Sequence, residues 1–177
     1  YAALAEEMGH NSFRTSILWA RLLPDGVHVN EKAVKFYRGM FKAFKDRNME
    51  LSVVLYWFDM PLLFEKEGGF TNRKVIEPFV RYCRKCFELF QDLVDIWYVY
   101  NEPIVDVMIK YQNDMCYPNL CDWNLASNAV YYMAVAHGKV VEQFRKGAFK
   151  GRIGSVLNHG CIYPRSQNAG DVKAAGD

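Results

Sequence analysis

One carboxyl stands out by its setting. Glu102 comes directly after the run Val99-Tyr100-Asn101 and directly before Pro103. Proline has no N–H to give to a sheet, so a strand ends there and Glu102 falls at its C-terminal end. In barrels and open α/β sheets that end carries the chemistry. The same rule selects Trp19 with Arg21, Trp57 with Phe58 and Asp59, and Asn158 with His159, at the ends of the other strand-like runs. A carboxyl set among tyrosine and tryptophan is partly desolvated, which favours its protonated form and suits a general acid. A strand-end glutamate that simply faces water is the competing reading, and position alone does not choose between them. Tyr56, Trp57, Phe58, Trp97 and Tyr98 are either ordinary core or a rim. Alternation along a strand turns part of each run to either face, and an aromatic face at a strand mouth suits the apolar C–H face of a sugar ring. Other chemistries lack their signatures. The histidines, His10, His28, His137 and His159, are far apart, with no H-E-x-x-H pair; there is no G-x-S-x-G elbow and no G-x-x-x-x-G-K-[ST] loop.

The elements that must position these residues follow from periodicity. Phe13 to Trp19, Leu51 to Trp57, Val94 to Tyr100 and Ile153 to Leu157 read as short apolar strands. Between them lie amphipathic helices. One runs from the cap Asn30 to about Arg47, with Val34, Tyr37, Phe41 and Phe44 on one face. The next starts at Thr71 or Asn72 and runs to about Gln91, burying Val75, Phe79, Tyr82, Cys86 and Phe90. The third runs from Asn124 to about Arg145, and an initial helix from Ala2 to Met8 stops at Gly9. The segments 22–29, 58–70 and 101–123 read as loops. Strand and helix in alternation is the signature of parallel βαβ units. An open doubly wound sheet would carry a Gly-rich phosphate turn after its first strand, and Trp19-Ala20-Arg21-Leu22 is not one. The expected fold class is therefore α/β, a TIM (β/α)8 barrel of which about four βα units are present, with 1–177 forming part of a single domain.

Composition narrows the class further. The 177 residues are 51% hydrophobic and 24% charged, enough apolar content for a packed core. Twenty-two basic side chains against 20 acidic ones give a net charge of +2, which supplies no electrostatic case for nucleic acid or an anionic membrane. No apolar run reaches the ~18 residues of a membrane span, and Tyr1 to Met8 carries glutamates rather than a basic leader region, so neither a membrane nor a secretory route is expected. The 5 cysteines, an odd number, read as reduced thiols of a cytoplasmic protein. Cys83 and Cys86 lie on the second amphipathic helix without partners at zinc spacing, and read as small apolar packing residues, not a metal site.

Several segments, in order along the chain, resemble glycoside hydrolase family 1. Phe-Arg-Thr-Ser-Ile (13–17), with Trp19 and Arg21, is similar to that family's second barrel strand. Leu-Tyr-Trp-Phe-Asp-Met-Pro (55–61), with Gly-Gly-Phe (68–70) and Asn72-Arg73, resembles its third strand and loop; Asn-Glu-Pro (101–103) its fourth; and Ile-Gly-Ser-Val-Leu-Asn (153–158) with Tyr-Pro-Arg-Ser (163–166) its fifth. Arg-Thr-Ser (14–16), Phe-Asp-Met-Pro (58–61), Asn-Glu-Pro-Ile-Val (101–105) and Tyr117-Pro118-Asn119 resemble the bacterial branch acting on 6-phospho-β-glucosides.

The resemblance implies retaining hydrolysis by two carboxyls about 5 Å apart. Glu102 matches the acid/base. Asn101 matches the residue that hydrogen-bonds the sugar 2-hydroxyl, and Arg14 the arginine that keeps the nucleophile ionised. The nucleophile belongs to a later strand and is not in this chain. Trp57 stands where the family has a histidine that donates to a glycone hydroxyl; the indole should line the pocket and reshape substrate choice. The implied partner is a small-molecule β-glycoside, 6-phosphorylated by an uptake system and handled in the cytoplasm without metal or organic cofactor. A non-phosphorylated β-glucosidase or β-galactosidase, and a non-catalytic barrel fragment, are the alternatives.

Overall fold

Four parallel strands, β1 (Ser12–Ser16), β2 (Glu50–Tyr56), β3 (Ile96–Asn101) and β4 (Arg152–Val156), lie side by side in chain order. The computed structural model describes residues 1–176. The helices, in chain order, are α1 (Ala2–Glu7), α2 (Trp19–Leu22), α3 (Glu31–Lys45), α4 (Leu62–Lys66), α5 (Ile76–Phe90), α6 (Pro103–Val107), α7 (Trp123–Lys146) and α8 (Ala169–Gly176). The three long helices α3, α5 and α7 are the crossovers that parallel pairing requires. Register is continuous at Thr15, Val53, Trp97 and Ile153, which sit abreast on the four strands.

The core lies between the sheet and these helices. Leu51, Val53, Leu55, Trp97 and Val99 project from alternate positions of β2 and β3 onto Phe41, Phe79, Cys83, Phe87 and Phe90. Fully burying a side chain of this size contributes roughly 1.5–3 kcal/mol. The Tyr82 hydroxyl of α5 lies 2.7 Å from the Ile17 carbonyl and 2.8 Å from that of Leu55, so one buried group ties the helix to the ends of β1 and β2. Asn30 caps α3, its Oδ1 accepting from the Lys32 and Ala33 amides, and Asp122 caps α7 in the same way.

The lower, N-terminal end of the sheet is pinned by Asp95. Its carboxylate accepts from Lys45 Nζ at 2.6 Å and from the Leu51 amide at 2.7 Å, while its carbonyl accepts from the Arg152 amide at 2.9 Å. Gly151 enters β4 with φ +98°, and a β-carbon there would stand 2.9 Å from the Asp95 carbonyl oxygen. Only glycine combines that conformation with that approach.

The α/β reading and the parallel pairing of four strands hold. The differences are local. The first strand ends at Ser16 rather than Trp19, and residues 19–22 form a short helix in which Trp19 is buried and stacks on Phe64 and Tyr82. The loop at 58–70 contains α4, and Gly69–Thr71 and Arg73–Val75 are 3-10 turns, so α5 proper starts at Ile76, not at 71 or 72. The loop at 101–123 contains α6 and a π turn over Met108–Gln112.

Candidate active site

At the upper, C-terminal end of the sheet the structure brings the four expected residues together as two neighbouring pairs. Tyr56 on β2 is abreast of Tyr100 on β3, so Trp57 and Asn101 leave adjacent strands at one level. Arg14 rises from β1, and its guanidinium carbon stands 5.2 Å from the centre of the Trp57 ring, within cation–π reach. The indole remains 37% exposed. Immediately after it, Phe58 adopts φ +66°, a left-handed turn in the chain at the strand mouth.

The second pair is Asn101 and Glu102. Asn101 is 1% exposed; its Nδ2 donates to Glu102 Oε2 at 3.1 Å, and its Oδ1 is buried without a partner. Register between β3 and β4 slips between Tyr98 and Asn101, the kind of irregularity that re-aims a side chain at a strand end. Glu102 is half-buried, and its amide donates to the Val156 carbonyl at 2.8 Å. Its backbone is left-handed, φ 45° and ψ 60°, a conformation that costs a residue bearing a β-carbon about 1–3 kcal/mol. A half-buried carboxyl, an amide donor beside it and a cation stacked on an aromatic face are thus assembled on one rim.

Behind this rim lies a charged cluster that sequence reading missed. The Tyr56 hydroxyl donates to Asp106 Oδ2 at 2.9 Å and accepts from Lys110 Nζ at 3.0 Å. Lys110 Nζ also stands 3.3 Å from Asp106 Oδ1 and 3.5 Å from Glu65 Oε1. All four side chains are buried. Burial raises the pKa of both Glu65 and Asp106, and the Lys110 charge opposes it in each case. Asp59, close by, is pushed up to about 6, by burial first, against the pull of Lys110 and with the repulsion of Asp106. The sequence signal is the i, i+4 pair Asp106–Lys110, which has meaning only where 103–112 is helical. A cavity of about 340 Å³ adjoins the cluster, lined by Phe58, Asp59, Glu65, Lys110, Cys116 and Tyr117 among others.

The remaining sequence candidates lie elsewhere. Arg21 packs over Phe36 at 4.1 Å, away from the rim. Asn158 and His159 are exposed beyond β4. His137 is a packed histidine whose pKa burial lowers; with Tyr100, Met133 and Leu157 it lines an apolar hollow of about 470 Å³ between α7 and β4. Cys83 and Cys86 are fully buried, and burial raises both thiol pKa values. Among the described residues no group of three or more His, Cys, Asp or Glu is placed to hold a metal ion, and no helix is long and apolar enough to cross a membrane.

The family model for glycosyl hydrolase family 1 matches residues 2–177. The chain belongs to that family. Its relatives include 6-phospho-beta-glucosidase GmuD of Bacillus subtilis, 39% identical over 97% of this chain and 37% of the relative. A 1,4-beta-D-glucan glucohydrolase of Thermotoga neapolitana is 33% identical over 97% of this chain and 41% of the relative. The family 1 β-glucosidase of Thermotoga maritima superposes with a TM-score of 0.92 at 32% identity, over 98% of this chain and 39% of that one. This family 1 chain therefore spans about two fifths of the length of such relatives, and its four βα units are part of a (β/α)8 barrel.

Proposed function

We propose that this chain carries the proton-transfer half of a retaining β-glycosidase, and that its substrate is a 6-phospho-β-glucoside. Glu102, protonated, gives its proton to the glycosidic oxygen as a nucleophilic carboxylate from outside this chain bonds to the anomeric carbon and the alcohol departs. Glu102, now ionised, then takes a proton from the water that attacks the same carbon, which frees the nucleophile and restores the acid. Asn101 holds the sugar 2-hydroxyl, Arg14 supports the ionised nucleophile, and Trp57 offers its indole to the sugar. The whole of 1–177 belongs to that single catalytic domain, and the phosphorylated substrate sets the reaction in the cytoplasm.

The observation that carries the reading is Asn101 and Glu102 in contact at the upper end of β3, level with the Arg14–Trp57 pair. The 39% identity to a 6-phospho-beta-glucosidase supports the phosphorylated substrate. The matches to the Thermotoga enzymes, at 33% and 32%, support a second reading, a β-glucosidase acting on plain glucosides. Incubating the full-length protein with paired phenyl β-glucosides, with and without a 6-phosphate, separates the two, the phenol being a leaving group that needs a proton. Cleavage of the phosphorylated substrate, lost in Glu102→Gln, is the expected result. Cleavage of the plain glucoside alone selects the second reading, and cleavage of neither, or an active Glu102→Gln, overturns both.

A further inference from the structure

Glu102 sits in a backbone conformation that its own residue type disfavours, so something outside it must hold it there. Its amide is fixed to Val156, and its carbonyl accepts from the Asp106 amide at 3.2 Å. Pro103 sets the first helical φ of α6. Yet α6 has five residues, with Ile104 half-exposed, and runs directly into the π turn; so short a helical stretch needs side-chain anchors to persist.

Besides the buried Val107, the anchor of α6 is the side chain of Asp106. It lies one turn beyond Glu102, 1% exposed, and is held by the Tyr56 hydroxyl and Lys110 Nζ. Tyr56 immediately precedes Trp57 and is wedged edge-on among Phe70, Phe79 and Tyr100. Lys110 comes from the π turn, a distortion frequent where a helix serves a site. A buried ion cluster is poor as a stability device, since apolar packing does at least as well; its merit is a single fixed geometry. Glu65 Oε1 and Asp106 Oδ1, the oxygens that face Lys110 Nζ, are fully enclosed, so they serve the cluster and not a ligand in the adjoining cavity.

We propose that Tyr56, Asp106 and Lys110 are positioning residues for Glu102: a buried clamp from the end of β2 onto the turn that aims the proton donor. The inference rests on the reading of Glu102 given above. Asp106→Asn, Tyr56→Phe and Glu102→Gln are compared in the full-length protein, on aryl β-glycosides of the substrate class it cleaves. One series carries a dinitrophenol, which departs without a proton, and the other a phenol, which needs one. A misaimed donor should lower kcat/KM for the phenyl substrate about tenfold or more while the dinitrophenyl value stays within about twofold. Azide, which needs no general base, should restore lost turnover of the dinitrophenyl substrate. Equal losses on both substrates, or none, in Asp106→Asn and Tyr56→Phe while Glu102→Gln shows the split would overturn the clamp and leave the role of Glu102 standing. If Glu102→Gln shows no split, that role is wrong and the clamp falls with it. Should Asp106→Asn fail to fold, Tyr56→Phe decides, because it removes one hydroxyl and keeps the ring packing.

Discussion

Replacing Asp59 by asparagine removes a carboxyl that folding forces into a poor solvent. Asp59 Oδ2 is buried without a partner, and burial pushes the pKa from 3.8 to about 6. About two units at 1.36 kcal/mol each amount to roughly 3 kcal/mol, and partial access of water to the side chain trims this to about 2 kcal/mol. The sign follows from proton binding. Between pH of about 4 and about 6 the folded state keeps a proton that the unfolded chain has released, so rising pH lowers stability across that window and changes it little beyond. The carboxamide of the Asp59→Asn variant does not titrate. Urea unfolding followed by the fluorescence of the buried Trp19 and Trp97 should therefore give nearly equal stabilities at pH 4. By pH 7 the variant should be the more stable by about 2 kcal/mol. A difference that stays flat with pH, or that favours the wild type increasingly above pH 6, would refute the desolvation argument.

Tyr82→Phe deletes the hydroxyl that serves the Ile17 and Leu55 carbonyls. The loss should be about 1–3 kcal/mol by denaturant titration, as for a buried acceptor left unmet. Gly151→Ala places a β-carbon 2.9 Å from the Asp95 carbonyl at φ +98°, and should cost about 1–3 kcal/mol, read as a lower midpoint in thermal melting. Of the five cysteines, Cys116, Cys121 and Cys161 are exposed while Cys83 and Cys86 are buried. A chromogenic disulfide reagent should therefore titrate three thiols rapidly in the native protein and the other two only after denaturation.

The architecture was legible because its causes are periodic. Val34, Tyr37, Phe41 and Phe44 recur at helical spacing, and all four are buried. The strand ends followed from Pro103 and from the apolar runs, which placed Trp57, Asn101 and Glu102 on one rim; Arg14, near the start of its strand, was marked only by the resemblance to the family. What the sequence hid was non-periodic. Helix α4 and helix α6 have five residues each, too few to print a pattern; α4 lies between Pro61 and Gly68, and α6 opens on Pro103. The meeting of Tyr56, Glu65, Asp106 and Lys110 depends on those two helices folding back over the end of β2. No local signal distinguishes such a buried charge from a solvated one, because the partner is up to 54 residues away along the chain. The left-handed backbone of Glu102 was equally hidden, since its residue type argues against it.

The fastening at Asp95 has a consequence for how such a domain diverges. One carboxylate and one carbonyl lock three neighbouring strands and helix α3 at the end of the sheet remote from Glu102. Loops at the opposite end can then be exchanged or lengthened without loosening the scaffold. Selection can vary one side of the molecule while foldability is guarded on the other.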